Sequence, residues 1–245
     1  MTKPQPARAA ATTILGSYEG LIGRANVADS GQARIGACLI LTIFEQFRAA
    51  LCLVDAGYAS HAAGPIRSML EGVADLMNLS ANADYLDQLR YENARANVAL
   101  FNEISRLDSV PEDAAATLAQ WREREEPIRK ELRKAGYDKL AIEAKLNRVD
   151  LGEAYVSYRI LCAQVHTSVA SLIARHAGRE RMTELEYCRP TEPPVVGMLL
   201  MIAVDLAVRA GSELHCFTDL TENEVNAVAE QAKLVWEAGQ AEGGT

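Results

Sequence analysis

The chain has 245 residues, 49% of them hydrophobic, which is enough to bury one large core. Aromatic residues are only 6%, and Ala, Leu, Glu and Arg are frequent, a composition that favours packed helices over a sandwich or barrel. The net charge of -8 argues against non-specific binding to nucleic acid, whose affinity comes mainly from cationic groups releasing counterions. Any role with RNA therefore needs a local basic pocket.

The chain reads as an all-α, single-domain bundle of eight or nine helices spanning 1–245, with 1–6 and 239–245 as flexible tails. A first helix is expected over Ala7–Ala28 and a second over Ala33–Ala56, stopped by Gly57. The second contains an almost wholly apolar run, Ala37–Phe44, and so should be deeply buried. The third runs from near Ser60 to Leu79 and the fourth from Asn82 or Asp84 to Leu107. Ser109-Val110-Pro111-Glu112 combines a capping box with a proline and predicts a fifth helix, to Ala135, with a kink at Pro127. Its charged second half reads as a solvated surface. A short helix capped by Asp138 reaches Asn147.

A long helix is then expected over 151–177, closed by Gly178. Residues 178–192 are irregular, with an extended piece possible at Met182–Cys188. An eighth helix opens at Pro193-Pro194 and runs to about Phe217. Thr221-Glu222-Asn223-Glu224 is a second capping box and starts a last helix, to Ala238.

Five cysteines form no CxxC pair, and four sit within helical apolar patterns. With no signal-peptide h-region at the N-terminus, this predicts a cytoplasmic protein whose thiols are reduced and serve as small hydrophobes. No apolar run reaches 18 residues, so no membrane span is expected. There is no HExxH, ExxH or CxxC, and no metal or cofactor is expected, although carboxylates from separate helices could in principle assemble a metal site.

Two constellations carry the candidate chemistry. Arg159 and His166 are seven apart, which on a continuous helix places them on one face with Cα atoms about 10 Å apart. His166 can act as general base toward a ribose 2′-OH while Arg159 holds the phosphate. The spacing is not specific. With 19 arginines and four histidines about one such pair arises by chance, and Arg209–His215 is a second. A half-buried histidine satisfied by its neighbours explains either pair equally well.

The other constellation is Arg67, Glu71 and Asp75, at i, i+4 and i+8 on the third helix. They form one polar ridge, which is either a surface salt bridge or an inward face meeting Arg159 and His166. A basic cluster, Arg175-His176-Ala177-Gly178-Arg179-Glu180-Arg181, could attract a phosphate or simply complement a helix C-terminus.

Arg67-Ser68-Met69-Leu70-Glu71, followed much later by Tyr158-Arg159-Ile160-Leu161-Cys162-Ala163-Gln164-Val165-His166-Thr167-Ser168, resembles a family of helical bacterial proteins catalogued as domain of unknown function 5677. The resemblance covers about 35–175. Cys162 stands where the family pattern has serine. The family is similar in outline to HEPN domains, many of which are RNA-cleaving toxins or defence proteins.

The resemblance implies a HEPN-like core and a dimeric, metal-independent ribonuclease or toxin/defence component. In it His166 would be the base, Arg159 the phosphate contact, and Glu71 with Arg67 the orienting pair. The alternative is a non-catalytic helical protein that binds a partner or ligand, in which Arg67, Glu71, Arg159 and His166 form a buried structural network. RNA or a protein is the expected partner.

Overall fold

A computed structural model describes residues 6–243, apart from 108, 110, 167 and 179–183. Among them are eleven α-helices: α1 (Pro6–Ile22), α2 (Gly31–Asp55), α3 (Ala63–Ala81), α4 (Tyr85–Ile104), α5 (Glu112–Lys134), α6 (Ile142–Asn147), α7 (Ala154–Val165), α8 (Val169–His176), α9 (Pro193–Ser212), α10 (Leu214–Phe217) and α11 (Glu222–Gly243). A 3-10 turn, Ala59–His61, leads into α3. No strand occurs among the described residues, only the isolated bridges Val27–Thr218 and Ala177–Leu185. Helices outnumber the expected eight or nine because 151–177 and 193–217 are each broken in two.

Helices α2, α3 and α9 make the centre. Ile40, Ile43, Phe47 and Leu51 of α2 meet Ile66, Met69, Leu70 and Val73 of α3 and Leu199, Leu200 and Ala203 of α9 in one continuous core. Each such large side chain contributes about 1.5–3 kcal/mol by leaving water. Leu161 of α7 also reaches this core. α1 packs along α11, and α5 lies against α4.

Several boundaries follow from local chemistry. Ser30 caps α2, its hydroxyl accepting from the Ala33 N–H at 3.0 Å. Gly57 (φ +82°) ends that helix region in the left-handed conformation that glycine takes most easily. The Thr221–Glu224 box forms as expected: Thr221 N–H donates to Glu224 Oε2 at 2.9 Å, and Glu224 N–H to Thr221 Oγ1 at 3.3 Å.

Other boundaries moved. α1 stops at Ile22 rather than Ala28, because 26–28 pair with 217–219. Asn26 N–H donates to Asp219 Oδ1 at 2.8 Å and Ala28 N–H to the Phe217 carbonyl at 3.0 Å. α5 starts at Glu112 with Pro111 in the cap position and no side-chain cap bond; Val110 of the expected box lies outside the described residues. Asp138 pairs with Arg133 at 2.6 Å instead of capping α6. α11 continues through the glycines to Gly243, because Gly239 is buried against Ala10, where a Cβ would come within 2.7 Å. The tail expected from 239 is helix as far as 243.

One further expectation, on the cysteines, is corrected, and two helices bear on the membrane expectation without overturning it. Gly31–Asp55 and Pro193–Phe217 are, by length and composition, long and apolar enough to cross a membrane. A core helix packed on several sides is apolar nearly all round and meets the same criterion. Four cysteines, Cys38, Cys52, Cys188 and Cys216, are exposed and so are not buried small hydrophobes.

Candidate functional site

Arg67 and Glu71 form the intrahelical pair expected, with Arg67 Nη2 3.0 Å from Glu71 Oε1. The contact across to α7 is made by Tyr158. Arg67 Nη2 donates to Tyr158 Oη at 3.2 Å, and the guanidinium carbon lies 5.3 Å from the Tyr158 ring centroid. Tyr155 stacks on Tyr158 with centroids 6.0 Å apart. Burial acts to lower the Arg67 pKa, but the charges of Glu71, Cys162 and Tyr158 outweigh it and the net shift is upward. Burial and a hydrogen bond with Cys162 raise the Tyr158 pKa.

This geometry explains why Arg159 is not in the contact. Successive helical residues point about 100° apart. With Tyr158, Leu161 and Cys162 turned toward α3, Arg159 is turned away. It is exposed, and the Tyr155 hydroxyl beside it raises its pKa. The expected four-residue contact is therefore replaced by Arg67, Glu71 and Tyr158.

His166 is not on the helix at all. α7 ends at Val165, and His166 has extended backbone (φ -75°, ψ 146°), so it cannot share a helix face with Arg159. The cause is Ser168, which caps α8 by accepting from the Ser171 N–H at 3.2 Å, while Ser171 Oγ donates back to the His166 carbonyl at 2.8 Å. This serine box outcompetes helix continuation. His166 is exposed, and Thr167 lies outside the described residues. The rival pair is split likewise: Arg209 in α9 binds Asp205 at 2.8 Å, whereas His215 lies in α10.

Asp75, the third ridge residue, faces another way. It is 2.8 Å from Lys145 Nζ and accepts from Tyr85 Oη at 2.6 Å; Lys145 also pairs with Glu92 at 2.8 Å. Lys145 is buried. Desolvation lowers its pKa, but the two carboxylates more than offset this and raise it. A lone aspartate in the apolar α3 was a legible sign of a buried counterion, but neither Lys145 nor Glu92 was marked by any motif.

The basic cluster proved the more informative signal. Arg175 of α8 folds back over the end of α7. Its Nη2 donates to the Gln164 carbonyl and, at 3.3 Å, to the Ser60 carbonyl. Its Nε is buried with no hydrogen-bond partner among the described residues. Arg175 thereby lines a cleft of about 310 Å³, together with Tyr58, His61, His176, Tyr187, Cys188 and Arg189.

His176 Nδ1 is 3.3 Å from the Glu186 carbonyl, and Arg189 donates to the Ala177 carbonyl at 2.6 Å. Cys188 has a left-handed backbone (φ 55°), and its Sγ is 3.7 Å from Tyr58 Oη. Two arginines and two imidazoles line this cleft, and Arg189 also lies 3.9 Å from Glu186 and 3.8 Å from Glu192. Sequence reasoning found Arg175 and His176 but missed Tyr58 and His61, more than a hundred residues earlier, and Tyr187, Cys188 and Arg189, which follow about a dozen residues later. Arg179, Glu180 and Arg181 of the cluster lie outside the described residues.

Among the described residues no three His, Cys, Asp or Glu side chains gather to hold a metal. A larger groove of about 630 Å³ on the α4–α5 hairpin, lined by Phe101, Leu118, Arg122, Glu123 and Glu126, mixes charge signs and selects no ligand.

Fold and site together define an all-α protein whose helices bring one cationic cleft to the surface. Residues 33–183, more than half of the chain, match the model of a family described as a family of unknown function, DUF5677, and the chain belongs to that family. The matched span contains both motif segments and the cleft residues Tyr58, His61, Arg175 and His176; Tyr187, Cys188 and Arg189 lie beyond it. No curated protein matches the chain. No solved structure matches it either.

Proposed function

We propose that this chain is a helical ligand-binding protein whose cleft lined by His61, Arg175, His176 and Arg189 takes a phosphate-bearing anion. The supporting observation is the grouping of Arg175, Arg189, His61 and His176 on one cleft in a chain of net charge -8, with Arg189 also 3.9 Å from Glu186 and 3.8 Å from Glu192. A guanidinium lining the cleft offers a charge-assisted hydrogen bond to a phosphoryl oxygen, roughly twice as strong as a neutral one.

Titration calorimetry with pyrophosphate tests this reading. Wild-type protein should bind it with an affinity that falls as salt rises, and Arg189→Ala should weaken binding about tenfold. A chain that binds no pyrophosphate at millimolar concentration and low salt ends the proposal.

A second reading keeps Arg159 and His166 as phosphate contact and general base of a metal-independent ribonuclease or toxin/defence component, without the Arg67–Glu71 pair, which bonds Tyr158 instead. It is favoured by the exposure of both side chains. RNA incubated with the chain in chelator should then be cleaved, and His166→Ala should abolish cleavage. Cleavage undiminished in His166→Ala removes this reading.

A further inference from the structure

We infer that the outer face of α2 is the contact surface between two copies of this chain, paired antiparallel about a two-fold axis that passes between residues 39 and 40. This is independent of the anion-binding reading above.

Only 33% of the most apolar 18-residue window of α2 is buried, against 56% of the equally apolar window of α9. Much of the remainder faces water. Ile35 is 39% and Leu41 47% exposed, and Cys38, Thr42 and Cys52 are exposed on the same face. An exposed apolar stripe rimmed by charge marks an interaction surface.

The charges on the stripe select what covers it. At about 100° per residue, Arg34, Cys38 and Glu45 fall on one line along the helix, with Ile35 and Thr42 on one side and Leu41 on the other. Glu45 is exposed and has no hydrogen-bond or ion-pair partner among the described residues. Arg34 uses one terminal nitrogen on Asp29 at 2.5 Å, and its side chain is 68% exposed, so its other donors stay open.

Reversed, this line is its own complement. A second α2 laid antiparallel sets Arg34 opposite Glu45 of the second copy, twice over, with Leu41 beside Leu41 and Ile35 beside Thr42. A parallel pair would set Arg34 against Arg34 and Glu45 against Glu45, and like charges so placed cost free energy. The antiparallel contact is isologous and closes at two copies. The same charges, with Arg48 on the exposed face, disfavour a lipid bilayer as the cover.

The test is sedimentation equilibrium of the full chain from about 10 to 500 µM, a range set by the small area of one helix pair. Wild type should dimerise. Leu41→Glu, at an exposed position, should weaken association at least about tenfold and leave the helical circular dichroism spectrum unchanged. Arg34→Glu should also weaken it, and Arg34→Glu combined with Glu45→Arg should restore it, because the swap rebuilds both pairs.

A short bis-maleimide reads the direction. In the antiparallel pair the two Cys38 Cα atoms are about 10 Å apart and the two Cys52 Cα atoms about 40 Å apart. Cys38 should therefore link to Cys38, and Cys52 should not link to Cys52. Links at both positions overturn the antiparallel pairing. A chain that stays monomeric throughout the range overturns the proposal, as does a dimer that Leu41→Glu leaves intact. A monomer that floats with phosphatidylcholine–phosphatidylglycerol vesicles assigns the face to a membrane and overturns it too.

Discussion

Arg67 donates to Tyr158 Oη at 3.2 Å and lies 5.3 Å from its ring centroid, joining two segments 91 residues apart. The contact is a cation–π interaction reinforced by a hydrogen bond, and Glu71 holds the guanidinium in place. A double-mutant cycle with Arg67→Ala and Tyr158→Leu should give a coupling energy of about 0.5–1 kcal/mol in chemical denaturation. A coupling of zero would show that α3 and α7 are held by apolar packing alone.

Lys145 is a stronger test of how the bundle is held. It is buried between Asp75 and Glu92 at 2.8 Å from each, and its removal strands two half-buried carboxylates. Lys145→Ala should cost about 3 kcal/mol, and adding Asp75→Asn to it should recover part of that loss. Urea unfolding of the three proteins measures both effects; a cost below 1 kcal/mol would assign the network to the solvated surface.

Glu224 supplies a pH signature. The Thr221 backbone N–H, then Arg24, hold its carboxyl down at about 2, against an ordinary 4.5. A depressed folded-state pKa means stability that is present above the unfolded value and lost as pH falls through the folded one. The contribution is therefore complete above 4.5 and disappears between 4.5 and about 2. Thermal melts across that window should show a shallower pH dependence for Glu224→Gln than for wild type.

Gly211 is required by close approach. A Cβ there would sit 2.0 Å from a carbon of the fully buried Tyr18 ring. Gly211→Ala should destabilise by about 2–3 kcal/mol, because Tyr18 must leave its position between α1 and α9. An unchanged melting temperature would mean that the ring shifts at no cost.

The helices were legible wherever a cap spoke for itself, as at Gly57 and at Thr221–Glu224. Ser168 was not legible, because a serine inside an apolar-periodic run reads as a tolerated helical residue until its hydroxyl is seen bonding the Ser171 N–H. Gly239 misled in the opposite direction, reading as a stop when its lack of a side chain lets α11 approach Ala10. The Arg67–Glu71 segment and the Tyr158 segment were correctly paired, but with Tyr158 itself unrecognised as the contacting residue. The cleft was only half visible: Arg175 and His176 stand together in the chain, whereas Tyr58, His61 and Arg189 join them only through the fold.

The turn between α7 and α8 has a consequence for how the chain can vary. Arg175 reaches carbonyls on two separate elements, Ser60 and Gln164, from a helix that starts after only three intervening residues. Removing or adding one residue in this extended connection would shift α8 by up to about 3.3 Å and carry the guanidinium off both acceptors. Connecting segments usually absorb length changes easily. Here the length of a connection is tied to two hydrogen bonds made further along the chain, by Arg175.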